Sequence, residues 1–241
     1  MPLPKISTPV YELTLPSTKQ KIKYRPFLVK EEKVLVLAME TEDTKEITNA
    51  VRQVIKNCIE TPKNIKVETL PTFDIEYLFL NIRAKSVGEV VEVNLICPDD
   101  GVTQVPVEIP INDINVQVTD DHDNKVKLDD KLMMEMKYPS LDQFIKTNFD
   151  MSKDNANVDQ SFDLIASCID KIYDEEQVWD SSDVSKKELV EFLDQMNSMQ
   201  FKQIEKFFET MPKLIHTMTI KNPNTGVESE VVLEGLSSFF A

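Results

Sequence analysis

The chain is predicted to be an α+β protein: an N-terminal extended arm, a helical layer with β-hairpins, and a helical second half closed by a C-terminal hairpin. Three observations predict it. Apolar residues recur at helical spacing over residues 30–60, 72–86 and 160–211. The period changes to two over 89–110 and again over 215–233, each time around a turn rich in Pro and Gly. A content of 41% hydrophobic residues among 241 supplies a core without disulfide staples.

Residues 1–29 form the arm. Val10, Leu13 and Leu15 precede a Pro16-Ser17-Thr18 turn, and Ile22, Tyr24 and Phe27 resume the alternation, so the segment reads as an extended arm or hairpin. Residues 30–149 form an α+β domain. Its first helical stretch breaks into two, the second piece opening at Asp43 with Glu46 three residues on, a reciprocal N-terminal cap. Ile47, Val51, Val54, Ile55 and Cys58 then share one face. Phe73, Ile75, Leu78, Phe79, Leu80 and Ile82 make the helix at 72–86 apolar on most sides, the mark of a helix buried at the centre of its domain. Val91, Val93 and Leu95 alternate, break at Pro98-Asp99-Asp100-Gly101, and resume as Val105, Val107 and Ile109, a β-hairpin at 89–110. Strands are expected at 113–118 and 131–137, and a helix from Ser140, which Gln143 caps.

Residues 150–241 begin with a polar linker. A helix is expected at 160–175 from Phe162, Ile165, Ile169, Ile172 and Tyr173, a second capped by Ser185 and Glu188, and a third carrying Phe201, Ile204, Phe207, Phe208 and Met211. A hairpin at 215–233 and the apolar tail Phe239-Phe240 end the chain. The two hairpins share a turn: Pro98 to Gly101 matches Pro223 to Gly226 in a Pro-x-x-Gly-Val pattern. An internal repeat and convergent turn chemistry both account for it.

Little in the chain offers catalysis. His122 and His216 are the only histidines; the first lies in an acidic loop, where a surface role is expected, and the second opens a strand. Neither adjoins a nucleophile motif, and four glycines across 241 residues cannot build a phosphate loop. Asp121 as the start of a calcium loop puts Val126 where glycine is obligatory and Leu132 where the bidentate Glu belongs. Cys97-Pro98-Asp99-Asp100-Gly101 resembles the Cys-Pro-x-Cys-Gly knuckle of zinc ribbons with Asp100 in place of the second cysteine. The C-terminal hairpin has Asn222, Asn224 and Thr225 where thiolates would stand, so it resembles a knuckle without metal. No cofactor or metal is expected, and no enzyme activity.

Cys58, Cys97 and Cys168 are odd in number and widely spaced, which fits a reducing compartment. The longest apolar stretch, Val34 to Met39, is far short of the roughly 20 residues of a membrane span, and no secretory leader is visible. The balance of 27 Lys plus Arg against 42 Asp plus Glu, a net charge of −15, argues against nucleic acid or an anionic membrane as partner.

Charge is nevertheless segregated. Residues 1–30 hold six basic residues against Glu12, while 150–200 hold thirteen acids and four lysines. A basic arm with aromatic tips suits a protein partner. The candidate partner-binding residues are Lys19, Lys21, Lys23, Tyr24, Arg25, Phe27, Phe239 and Phe240. An arm folded back on its own acidic body explains the pattern equally well.

Three stretches carry a family resemblance: Met1-Pro2-Leu3-Pro4-Lys5; Lys21-Ile22-Lys23-Tyr24-Arg25-Pro26-Phe27 followed by Glu31-Glu32-Lys33; and Arg83-Ala84-Lys85-Ser86-Val87-Gly88-Glu89 leading into Cys97-Pro98. Together they resemble the baseplate hub subunit family of T-even-like contractile-tailed phages, especially versions from phages of marine bacteria. The resemblance spans essentially the whole chain and is densest in 1–110. It implies a non-enzymatic structural subunit of the tail baseplate hub in the virion, made in the host cytoplasm, with other hub and tail proteins as partners or itself in a ring. The alternative it implies is a transient hub assembly chaperone absent from the mature virion.

Overall fold

The computed structural model describes residues 6–41, 43–140, 143, 158–235 and 238. In chain order the elements are β1 (Tyr11–Thr14), β2 (Lys21–Tyr24), α1 (Val29–Met39), α2 (Thr44–Cys58), β3 (Ile59–Thr61), α3 (Thr72–Val87), β4 (Val90–Ile96), β5 (Gln104–Pro110) and β6 (Asn115–Gln117). They continue as β7 (Lys125–Lys127), β8 (Met133–Met136), α4 (Val158–Ser167), β9 (Ile169–Tyr173), β10 (Val178–Asp180), α5 (Lys186–Asp194), α6 (Ser198–Thr210), β11 (Lys213–Lys221) and β12 (Glu228–Glu234). Helices and small antiparallel sheets mix along the chain, the α+β class expected. The chain forms two compact units: one from Met1–Val67, Phe73–Gln117 and Lys213–Ala241, the other from Glu68–Thr72 and Val118–Pro212.

In the first unit the arm is a strand pair. β1 and β2 run antiparallel and β3 adds to the edge of β2, giving the order β1-β2-β3. Alternation along β2 turns Ile22 and Tyr24 inward and Lys21 and Lys23 outward. The turn between the strands is tied down by Asp74 at the head of α3, which is fully buried and accepts from the Ser17 N–H at 3.1 Å and from the Ser17 hydroxyl. Asp43 caps α2 by accepting from the N–H groups of Lys45 and Glu46, and Val51, Val54, Ile55 and Cys58 line its buried face. As its composition predicts, α3 is buried on several sides, at Phe73, Ile75, Leu78, Phe79, Leu80 and Ile82.

β4 and β5 form the first hairpin, with Val91 opposite Ile109, Val93 opposite Val107 and Leu95 opposite Val105. The second hairpin, β11 with β12, takes β6 on its other side in the order β12-β11-β6. Both hairpins bury their inner faces in one cluster with α3: Leu80 and Ala84 meet Val91, Val93, Leu95, Cys97, Ile109, Leu214, Ile220 and Leu233. At about 1.5–3 kcal/mol for each large side chain buried, this shared core outweighs any single polar contact within it. It also brings β11 and β12 back to a unit from which about 95 residues separate them in sequence.

The second unit is a four-stranded antiparallel sheet, β10-β9-β8-β7, accompanied by α4, α5 and α6. Its core joins Val126, Met134, Met136, Ile169 and Ile172 of the strands to Ala166, Leu189, Leu193, Ile204 and Phe207 of the helices. Ser185 and Glu188 form the expected reciprocal cap on α5, and Asn197 with Gln200 does the same for α6. Ser140 and Gln143 exchange their capping hydrogen bonds at 2.7 and 3.4 Å. The helix expected beyond them lies outside the described residues apart from Gln143, as do residues 150–157 of the polar linker expected at 150–159, whose last two residues, Val158 and Asp159, instead open α4.

Two expectations are corrected here. The helix expected over 160–175 stops at Ser167, and Ile169–Tyr173 is strand β9, paired to β8 and β10. Cys168 closes the helix, its N–H bonded to the carbonyls of Leu164 and Ile165, while its own carbonyl accepts from Lys137 N at 2.7 Å. The apolar run Ile169, Ile172, Tyr173 satisfies either period, and the unpaired edge of β8 decides between them. His122 is not a surface residue of its acidic loop. Its Nδ1 lies 3.0 Å from Thr210 Oγ1 and its Nε2 3.0 Å from Tyr138 Oη. The ring packs against those of Tyr138 and Phe207 at 5.6 and 5.3 Å between centroids. Two apolar rings and two hydroxyls outweigh the hydration that the flanking Asp121 and Asp123 retain.

Candidate partner-binding face and the paired turns

The alternation of β2 sorts the predicted partner-binding residues. Lys21 and Lys23 point outward, and Lys19, in the turn with a φ of 58°, is also exposed. Lys21 Nζ reaches Glu12 Oε1 on β1 at 3.1 Å, a pair between exposed side chains worth little to stability. Tyr24 faces the other way. Its ring lies 5.9 Å from that of Tyr11, and burial, with smaller effects from Tyr77, Tyr11 and Glu89, pushes its phenol up to about 12. Phe27 is half-buried, and its N–H donates to Ser86 Oγ at 2.9 Å. Phe239 and Phe240 lie outside the described residues.

Arg25 is a bracket inside the unit. Its Nη2 donates to Glu31 Oε1 at 3.1 Å and to the Asn57 carbonyl at 3.0 Å, and its Nη1 donates to the Pro26 carbonyl at 2.8 Å. The Arg25 side chain is 11% exposed and that of Glu31 only 1%. Glu31 Oε2 also accepts from the Leu28 N–H at 2.8 Å, capping α1. Burial alone would raise the Glu31 pKa. The hydrogen bonds from Arg25 and Leu28 and the charges of Arg25 and Lys30 prevail and hold the carboxyl below its usual range.

The fold leaves one apolar surface exposed. α1 turns Glu31, Leu35 and Ala38 inward and leaves Leu28, Val29, Val34, Val36, Leu37 and Met39 exposed. The apolar side chains of its C-terminal half, Val34, Val36, Leu37 and Met39, form an exposed patch of the kind that ordinarily meets a partner. The spacing of these residues was readable; which side α2 would cover was not.

At the tips of the two hairpins the matched turns meet. Each turn is closed in the same way: Gly101 N donates to the Cys97 carbonyl at 2.9 Å, and Gly226 N to the Asn222 carbonyl at 2.8 Å. Each glycine has positive φ, 69° and 77°. Across the pair, Asn222 Nδ2 lies 3.0 and 3.1 Å from the two Asp99 carboxylate oxygens and 2.9 Å from Asp100 Oδ2. Thr225 Oγ1 donates to Asp99 Oδ2 at 2.5 Å, and Asn224 Nδ2 to Thr103 Oγ1 at 3.0 Å. Asp99 is held below the usual carboxylate range by the Thr225 and Asn222 hydrogen bonds, and Asp100 well below it by Thr103, Val102 and Asn222. The pattern Pro-x-x-Gly-Val signalled two like turns in the sequence; that they face each other emerges only in three dimensions.

Among the described residues, no group of three or more His, Cys, Asp or Glu side chains is placed to hold a metal ion, and no helix is long and apolar enough to cross a membrane. The family model for the T4 bacteriophage base plate protein matches residues 8–241. The chain belongs to that family. No curated protein and no solved structure matches the chain. As a T4-type base plate protein it is a structural component of the phage tail baseplate, and other baseplate proteins are its partners. The family match spans both compact units.

Proposed function

We propose that this base plate protein is a non-enzymatic structural subunit of the baseplate hub, binding other hub and tail proteins during assembly of a contractile tail. The family match over residues 8–241 carries the reading. The exposed Lys19, Lys21 and Lys23 on a strand hairpin support a contact with an acidic neighbour, another hub protein or a second copy in a ring. Tyr24, Arg25 and Phe27 serve that contact indirectly, by holding the hairpin rigid. Phe239 and Phe240 are assigned to the same class of contact on their apolar chemistry alone. The exposed apolar side of α1 offers further surface for a protein neighbour.

Quantitative mass spectrometry of purified virions against infected-cell lysate tests the subunit role. Stoichiometric presence in virions supports it; presence in lysate alone assigns the chain to transient hub assembly instead. The lysine face has its own test. Charge reversal at Lys19, Lys21 and Lys23 is expected to block incorporation into baseplates while leaving the melting temperature within a few degrees, since all three side chains are exposed. Normal incorporation of the triple variant would remove the arm from the interface.

A further inference from the structure

We infer that the paired hairpin tips have the layout of a four-position metal knuckle in which hydrogen bonds from Asn222 and Thr225 to Asp99 and Asp100 do the cross-linking that a metal ion would do. The four positions are Cys97 and Asp100 on the first turn and Asn222 and Thr225 on the second, each pair three residues apart and followed by a glycine of positive φ. This is the spacing of paired Cys-x-x-Cys turns around a tetrahedral zinc ion.

Three observations extend the match beyond sequence spacing. Both turns close by the same glycine bond, Gly101 N to the Cys97 carbonyl and Gly226 N to the Asn222 carbonyl, and each first position also donates its N–H across the loop, Cys97 to the Thr103 carbonyl at 2.7 Å and Asn222 to the Val227 carbonyl at 2.9 Å, the first loop being one residue longer. The side chain at the first position of the second turn also binds its own loop, Asn222 Oδ1 accepting from Asn224 N at 2.8 Å and Thr225 N at 3.3 Å. Finally, the first position of each turn is 1% exposed, while the tips around it are polar.

In a zinc knuckle, anionic ligands from two turns converge on a cation. Here the anions of Asp99 and Asp100 come from one turn, and the donors of Asn222 and Thr225 from the other. The amide hydrogens of Asn222 take over the cross-linking without a charge of their own. Cys97 is the remaining soft side chain of the four positions, and it is buried. One thiol and hard oxygen groups form a poor zinc site, whereas four thiolates in the same positions form a good one. The inference is independent of the hub reading.

The test is the full-length chain with Asp100→Cys, Asn222→Cys and Thr225→Cys together, beside the unsubstituted chain. The triple variant is expected to bind one cobalt(II) or zinc ion per chain, with thiolate-to-cobalt charge-transfer absorption and tetrahedral ligand-field bands. Its zinc affinity should exceed that of the unsubstituted chain by more than about a thousandfold. The unsubstituted chain should retain no zinc after desalting, and chelator should leave its melting temperature unchanged. Folding of the triple variant only on zinc addition would also support the inference, because a structural metal site folds with its ion. The inference is overturned by a folded triple variant that binds no metal, or by one that stays unfolded with zinc while Asn222→Ala folds. Chelator-sensitive melting of the unsubstituted chain would overturn it as well.

Discussion

The side-chain nitrogen of Asn222 lies 3.0 and 3.1 Å from the two carboxylate oxygens of Asp99, 123 residues earlier in the chain. This contact fastens the second hairpin to the first at their tips, beyond the apolar core that their strands share with α3. Replacing Asn222 with Leu keeps the branched side-chain shape but removes donors to charged groups, each worth about 1.5–3 kcal/mol. The variant is expected to lose about 2–3 kcal/mol in chemical denaturation. Equal stability of variant and parent would show that the core alone holds the hairpins together.

The turn glycines should be intolerant of side chains for a backbone reason. A Cβ at Gly101 or Gly226 would meet nothing within 4 Å, so the cost is that of a β-branched residue at positive φ and not of a clash. Gly101→Val and Gly226→Val are each expected to lower stability by about 1–2 kcal/mol. Asn at either position should cost less. Equal losses for Val and Asn in thermal melts would contradict the conformational explanation.

Glu31 depends on Arg25. Arg25→Ala leaves a carboxylate that is almost fully buried without its guanidinium, and about 3–5 kcal/mol is the usual loss when one partner of such a pair is removed. Arg25→Lys keeps the charge but cannot reach Glu31, Asn57 and Pro26 together, so it should lie between. Because the Glu31 pKa is lowered by folding, its stabilisation is complete above the ordinary Glu pKa and is lost as pH falls through the lowered folded value. Denaturation curves for Glu31→Gln should therefore be flatter with acid than those of the parent.

His122 gives the second unit a pH dependence of known sign. Burial between Tyr138 and Phe207 lowers its pKa, against the opposing pull of Asp123 and Asp121. A histidine with a lowered folded pKa contributes full stability above its unfolded value near 6.5, and that contribution fades as pH falls through the folded value. Nuclear magnetic resonance titration of the His122 ring should give a midpoint below 6.5, and His122→Gln should reduce the loss of melting temperature between pH 7 and 5. A midpoint above 6.5 would mean that the two aspartates outweigh burial.

The three cysteines should resist alkylation in the native chain. All are buried, and burial pushes the Cys58 thiol up to about 11 and the Cys168 thiol up to about 12. Mass spectrometry after a brief iodoacetamide pulse at pH 8 is expected to show no labelled cysteine in buffer and three in denaturant. Rapid native labelling at Cys97 would show that the hairpin tips open.

Much of the local structure was legible in the sequence because local rules decide it. Asp43 and Ser185 sit where a helix needs acceptors for its first N–H groups, and β4 alternates because one face meets α3 and the other water. Ile169–Tyr173 was not legible, because a short apolar run fits a strand or a helix until the edge of β8 is known. Nor was the inward turn of Arg25, since a basic residue in a basic segment carries no mark of the buried carboxylate six residues on.

By itself the sequence determined the α+β class, the helices within 30–60 and at 72–86, the two hairpins with their like turns and the membership of a baseplate family, since each depends on periodicity, turn chemistry or ordered motifs. Tertiary structure alone decided which like features meet. The strands of both hairpins bury their apolar faces with α3, and this burial brings Asn222 against Asp99 and Asp100. Burial is non-directional and acts between residues of any separation in the chain, so no local pattern records its outcome.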